Sequence, residues 1–133
     1  MTPAGRILLV DDDLDFLDMH KAVLVNHGYE VITATSAQEG LEKVRAEMPD
    51  LIVLDLMMEK HDAGFSFSKQ IKNDPLFKKI PILMVTAVAD ATGYKFSLEK
   101  DGYWMKTDAF LDKPVEPSVL IDKVESLLKQ KEE

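Results

Sequence analysis

Three short stretches of the chain are apolar without interruption: Ile7 to Val10, Leu51 to Leu54 and Ile82 to Val85. Strands that are apolar at every position, rather than at every second one, are covered on both faces, as in a parallel sheet. The segments between them change period. Leu14, Leu17 and Leu24, with Phe16 and Val23 beside them, repeat at helical spacing, and Gly28 follows where a helix C-cap falls. "YEVITA" predicts a second strand. Ser36 stands three residues before Glu39, the spacing of a capping box, and Ala37, Leu41, Val44 and Met48 make one apolar stripe that Pro49 ends. A third helix is predicted over Phe65 to Lys72, stopped at Asn73-Asp74-Pro75 because proline disfavours helical backbone in the residue before it. Near the end, "AFLD" predicts a fifth strand and Pro117 opens a last helix with Leu120, Val124, Leu127 and Leu128 on its apolar face. The polar tail "KQKEE" is expected to fray.

This alternation of strand and helix implies right-handed crossovers with helices on both faces. The expected fold class is α/β: a flavodoxin-like, doubly wound, five-stranded parallel sheet of order 2-1-3-4-5. A length of 133 residues with 46% hydrophobic content suits a single domain over residues 1–133, and no repeat, low-complexity run or linker divides it. The net charge of -8 argues against nucleic acid or an anionic membrane as partner, since either would need clustered Lys and Arg. With no cysteine there is neither a disulfide nor a thiolate metal site. "MTPAGR" leads into a strand rather than a signal-peptide core, and no apolar run approaches the ~20 residues of a membrane span, so a cytoplasmic location is expected.

In the expected order, strands one and three are neighbours, which changes the meaning of the acids that follow them. Asp11 and Asp12 leave the C-terminal end of strand one and Asp55 the same end of strand three. Carboxylates converging at a switch point of the sheet repel one another unless a cation sits among them. An all-oxygen donor set, without Cys or a strand-end His, suits a hard ion such as Mg²⁺. Thr86 ends "ILMVT" and Lys113 follows "AFLD", adding a hydroxyl donor and an ammonium at corresponding strand ends. An anion is expected where Asp55 stands. An EF-hand reading of "DDDLD" fails, because Phe16 replaces the required glycine and Ala22 the terminal glutamate.

The segments "LLVDDD", "LIVLDLMM", "IPILMVTA" and "FLDKP", in this order over essentially the whole chain, resemble the receiver domains of two-component response regulators, in particular stand-alone, chemotaxis-regulator-like ones. The resemblance implies that Asp55 is the phosphoacceptor, taking a phosphoryl group from a sensor histidine kinase. It implies Mg²⁺ (or Mn²⁺) contacted by Asp12, Asp55 and the Met57 backbone carbonyl, with Asp11 acting mainly through a metal-bound water. Lys113 would pair with the phosphoryl oxygens, and Thr86 would hydrogen-bond them once the aspartyl phosphate forms. Phe110 matches the aromatic switch residue on strand five, whose inward turn alters the face built from the preceding helix, that strand and the last helix. Phenylalanine instead of the common tyrosine leaves packing, not a hydroxyl, to carry the signal. Asp13 falls outside the metal pair and is expected to begin the first helix, its carboxylate accepting backbone N–H bonds. A receiver is not an enzyme in the usual sense: it catalyses only its own phosphotransfer and dephosphorylation.

Two stretches depart from the family pattern. Glu59 occupies the usual proline position, and "EKHDAG" brings Gly64 about one residue late. "VADATGYKFSLEKDGYWMKTD" is longer than its counterpart and carries Gly93 and Gly102, so a shortened or irregular helix is expected before strand five. Its aromatic residues Tyr94, Phe96, Tyr103 and Trp104 are either a partner surface or packing beneath a long loop. His20, His27 and His61 are isolated and read as solvated or structural. The expected partners are the kinase and either a histidine phosphotransfer protein or a downstream protein target, with the chain a monomer or a phosphorylation-dependent dimer. No DNA-binding or catalytic output domain is read after Lys129, although a receiver cut from a hybrid kinase would look the same. The competing functions are a phosphate-independent, receiver-like binding module and, more distantly, a Mg²⁺-dependent aspartyl-phosphate phosphatase, for which Met57 stands where a second acid is wanted.

Met57, two residues beyond Asp55, and Val88, two beyond Thr86, flank the route of hydrolytic water in the resembled family, and both are apolar, so neither can orient that water. A long-lived phosphoryl group is therefore expected. Met57→Asn combined with Val88→Glu shortens its half-life relative to wild type, as followed by intact-mass decay after removal of the phosphodonor.

Overall fold

The computed structural model describes residues 5–55, 63–87, 109–113 and 115–132. Its strands are β1 (Arg6–Val10), β2 (Glu30–Ala34), β3 (Leu51–Asp55), β4 (Ile82–Ala87) and β5 (Ala109–Lys113). Among the described residues the helices are α1 (Leu14–Asn26), α2 (Ala37–Glu47), α3 (Ala63–Asn73) and α4 (Pro117–Glu132). Every strand pair is parallel, and the sheet runs β2-β1-β3-β4-β5, as the alternation of elements predicts. The loop after β3 and the stretch 88–108 before β5, with the irregular helix expected there, lie outside the described residues.

The uninterrupted apolar runs are explained by the two cores they serve. Leu8, Val10, Ile52, Leu54, Ile82 and Met84 point to one face, where they meet Val44 of α2 and Phe67 and Ile71 of α3. Ile7, Leu9, Leu51, Val53, Leu83 and Val85 point to the other, against Leu17 and Leu24 of α1 and Leu120 and Val124 of α4. Alternate residues of β1, β3 and β4 thus enter different layers, and from Ile7 to Val10, Leu51 to Leu54 and Ile82 to Val85 every position is apolar and buried.

The ends of the helices follow local chemistry. Asp13 caps α1, its Oδ1 accepting from the backbone N–H groups of Asp15 at 3.0 Å and Phe16 at 3.3 Å. Gly28 takes φ 89° just after the His27 C-cap, a left-handed conformation that glycine adopts without strain. Ser36 Oγ accepts from Glu39 N at 3.1 Å, while the Glu39 carboxylate reaches the Thr35 N–H at 2.7 Å, one residue beyond the usual capping-box partner. α2 stops at Glu47, and Met48, φ 48°, is its left-handed cap ahead of Pro49. α3 is longer at both ends than the predicted span. α4 continues to Glu132, consistent with the good intrinsic helix propensity of Lys, Gln and Glu. Lys72 holds the turn that feeds β4, its Nζ donating to the carbonyls of Ile80 at 2.7 Å and Lys78 at 3.2 Å.

At the N-terminal edge of the sheet, Arg6 ties three elements together. Its backbone N–H donates to Asp50 Oδ2 at 2.8 Å, its Nε to Glu30 Oε2, and its Nη1 to the Glu47 carbonyl at 2.6 Å. The opposite edge, where the acids emerge, has Asp11 N donating to the Ala34 carbonyl at 3.1 Å.

Gly40 sets how closely α2 approaches the strand that bears those acids. A Cβ there would lie 2.8 Å from Cε2 of Phe67 and 3.2 Å from Cγ2 of Val10, the residue before Asp11. Alanine gains about 1 kcal/mol of helix propensity, but overpacking a filled core costs about 1–3 kcal/mol. Because both neighbours are fully buried, the clash dominates. Gly40→Ala lowers stability, read as a reduced midpoint of urea unfolding at unchanged slope; an equal or higher midpoint would contradict this packing.

Candidate functional site

The C-terminal ends of β1 and β3 are adjacent because the two strands pair directly, with Val10 opposite Leu54. The next residues are Asp11 and Asp55. Together with Asp12 they place carboxylate oxygens within 4.8 Å of one another, the arrangement expected from the sequence. Asp11 is 1% exposed and Asp55 6%, whereas Asp12 faces solvent. Two buried acids and one accessible acid thus stand together at this edge.

Local hydrogen bonds divide the work among the consecutive acids. Asp11 Oδ1 accepts from the backbone N–H of Asp13 at 2.9 Å, which fixes the plane of its carboxylate. Asp13 turns away to cap α1 and takes no place in the cluster, as the sequence reading expects. Asp12, between them in sequence, is exposed yet keeps a carboxylate oxygen within the cluster. Among the described residues the donor set is carboxylate oxygen, the chemistry that suits a small, hard cation. Asp11, Asp12 and Asp55 therefore fit a divalent ion such as Mg²⁺.

The remaining predicted site residues distribute as follows. Asp55 pairs with Val85 across β3 and β4, so Thr86 stands one residue further along at the same edge. On the next strand pair, Thr86 lies opposite Asp112 and Ala87 opposite Lys113. The backbone thus brings a hydroxyl residue and a lysine to the edge that bears the acids, on the two successive strands beside β3. Phe110 is opposite Met84, lower on β5. Met57, Val88, Tyr94, Phe96, Tyr103 and Trp104, together with Glu59 and His61 of the altered loop, lie outside the described residues.

One residue read only as solvated or structural has a more definite place. His20 is 1% exposed, its ring stacked on Phe16 with centroids 4.0 Å apart. Its Nδ1 lies 2.9 Å from the Phe16 carbonyl and its Nε2 3.5 Å from the Val115 carbonyl, beyond β5. Its position one turn after Phe16, on the same helical face as Leu17 and Leu24, is the sequence signal that could have marked it as buried.

Among the described residues no helix is long and apolar enough to cross a membrane. Residues 7–125 match the family model described as the response regulator receiver domain. The chain is 35% identical over 127 residues to the alkaline phosphatase synthesis transcriptional regulatory protein PhoP of Bacillus subtilis, covering 96% of this chain and 50% of that protein. It is 34% identical over 128 residues to the response regulator PleD of Caulobacter vibrioides, covering 96% of this chain and 27% of the relative. The chain thus spans half or less of the length of these curated relatives. Among solved structures, a putative response regulator from Chloroflexus aurantiacus superposes with a TM-score of 0.82 at 34% identity, covering 96% of this chain and 98% of the other. A CheY-like receiver domain protein from Methanospirillum hungatei gives 0.81 at 34% identity, with 96% and 95% covered. A doubly wound sheet of this order, an acid cluster at its switch point, and likeness over nearly the full length of other receiver domains agree: the chain belongs to the response regulator receiver domain family.

Proposed function

We propose that this receiver accepts a phosphoryl group on Asp55 from a phosphohistidine of a sensor kinase and signals through a protein–protein contact. The observation that carries the reading is the acid cluster: Asp55, buried at the end of β3, lies within reach of Asp11 and Asp12 at the one edge that also carries Thr86 and Lys113. A carboxylate is a weak nucleophile toward a phosphoryl anion, so the site must hold the two anions in line and offset their charge. Asp11, Asp12 and Asp55 would hold Mg²⁺, with the Met57 carbonyl as a further ligand. Bound there, the ion supplies charge neutralisation for the phosphoryl oxygens.

The protein's own groups do the rest. Asp55 attacks phosphorus through one carboxylate oxygen while the phosphohistidine nitrogen leaves. Lys113 pairs with the transferred oxygens, and Thr86 donates its hydroxyl to them afterwards. That new bond biases the packing of β5 around Phe110. A cytoplasmic location follows from where kinases present phosphohistidine, and the partner that reads the output is a phosphotransfer protein or a protein target. The aromatic residues Tyr94, Phe96, Tyr103 and Trp104 are the proposed surface for that contact. Transcriptional regulators among the relatives keep open a longer polypeptide in which a further domain acts on DNA.

Incubation with acetyl phosphate, with and without Mg²⁺, tests the central step by intact-mass spectrometry. The expected result is the gain of one phosphoryl group that requires Mg²⁺ and is absent in Asp55→Asn. A gain that persists in Asp55→Asn would move the acceptor elsewhere. No gain with either acetyl phosphate or a phosphorylated histidine kinase would favour a phosphate-independent binding module.

A further inference from the structure

We propose that Asp13, which stands outside the acid cluster, is a positioning residue for it: the bonds with which Asp13 starts α1 also hold the peptide that aims Asp11, so helix cap and cation site are coupled. The inference rests on the Mg²⁺-assisted phosphotransfer proposed above. Asp13 has extended backbone, φ -89° and ψ 105°, and its Oδ1 accepts from the N–H groups of Asp15 at 3.0 Å and Phe16 at 3.3 Å. Its own N–H donates to Asp11 Oδ1 at 2.9 Å. That N–H belongs to the planar peptide joining Asp12 to Asp13, so it changes direction only if the backbone around it turns. Asp13 therefore accepts from the helix through its side chain and donates to the cluster through its main chain.

The surroundings give these bonds their weight. On one side Asp11 is buried, and its N–H is tied to the Ala34 carbonyl of β2 at 3.1 Å. On the other, Phe16 and Leu17 are buried in the core that α1 shares with the sheet. Between these fixed points Asp12, Asp13, Leu14 and Asp15 are all exposed, so packing does little to restrain the backbone there and the cap bonds do more. Loss of the capping oxygen frees the first turn of α1, and with it the amide that sets the plane of the Asp11 carboxylate. Coupling of this kind is reciprocal: what the cap contributes to cation affinity, a bound cation returns to the cap.

Three variants of the full chain separate the cap from the charge. Asp13→Asn and Asp13→Ser lose the charge but keep a capping oxygen, whereas Asp13→Ala keeps neither. In Mg²⁺ titrations followed by amide NMR, at a temperature where every variant is folded, Asp13→Ala binds the ion about twofold to fivefold more weakly than Asp13→Asn and Asp13→Ser, within the worth of one helix cap. Equal affinities for Asp13→Ala and Asp13→Asn overturn the proposal, because the charge alone then accounts for any loss. The reciprocal measurement needs no variant: in wild type, Mg²⁺ slows hydrogen exchange of the Asp15 and Phe16 amides, and exchange that ignores the ion while it binds overturns the coupling. A wild type that binds no Mg²⁺ overturns the metal reading instead. Exchange of the residue 13 amide without metal then decides the positioning role by itself, being faster in Asp13→Ala than in Asp13→Asn if the cap holds that peptide and equal in the two if it does not.

Discussion

Burial of the sheet on both faces is the constraint on which everything else here depends. A strand that is covered above and below has no room for polar side chains along its length, so polar chemistry is pushed to its ends. Parallel strands place all their C-terminal ends on one edge. The crossover from β1 to β2 on one side and to β3 on the other then opens a crevice at that edge, beside the acids. Asp11 and Asp55 are buried and close together because the topology leaves them nowhere else to stand.

The two edges of the sheet are built in opposite ways. At the N-terminal edge Arg6 satisfies its neighbours with complementary charge, tying β1 to Glu30 and to the end of α2. At the C-terminal edge three carboxylates are gathered within 4.8 Å of one another, a donor set that suits a hard cation. The apolar layers between the two edges carry the stability. Gly40 belongs to this scheme, since its missing side chain lets α2 and Phe67 close on Val10 directly beneath Asp11.

Much of this was legible in the sequence, because it is written in local patterns. Continuous apolar runs gave the buried strands, helical spacing gave the apolar faces, and acids at the ends of two neighbouring strands gave the cluster. Asp13 as a cap rather than a ligand was readable from its position one residue before an amphipathic helix. What was not legible has equally physical origins. α4 extends through a polar tail because helix propensity needs no apolar stripe, and Met48 closes α2 in a left-handed conformation that a non-glycine residue does not advertise. Of the two roles read for His20, solvated or structural, the structure shows the structural one, and its approach to a carbonyl 95 residues away is a relation no local pattern encodes.

The run Asp11-Asp12-Asp13 repeats one letter with three meanings. The first residue is oriented by the amide of the third, the second is the accessible member of the cluster, and the third holds the amides that start a helix. A reading by residue type alone would treat all three as equivalent. Their replacements would nonetheless fail differently, one through a misaligned carboxylate, one through a missing ligand and one through a frayed helix. In this tripeptide, identity of residue conceals division of labour, and a consensus drawn from such a reading would record the alphabet while losing the grammar.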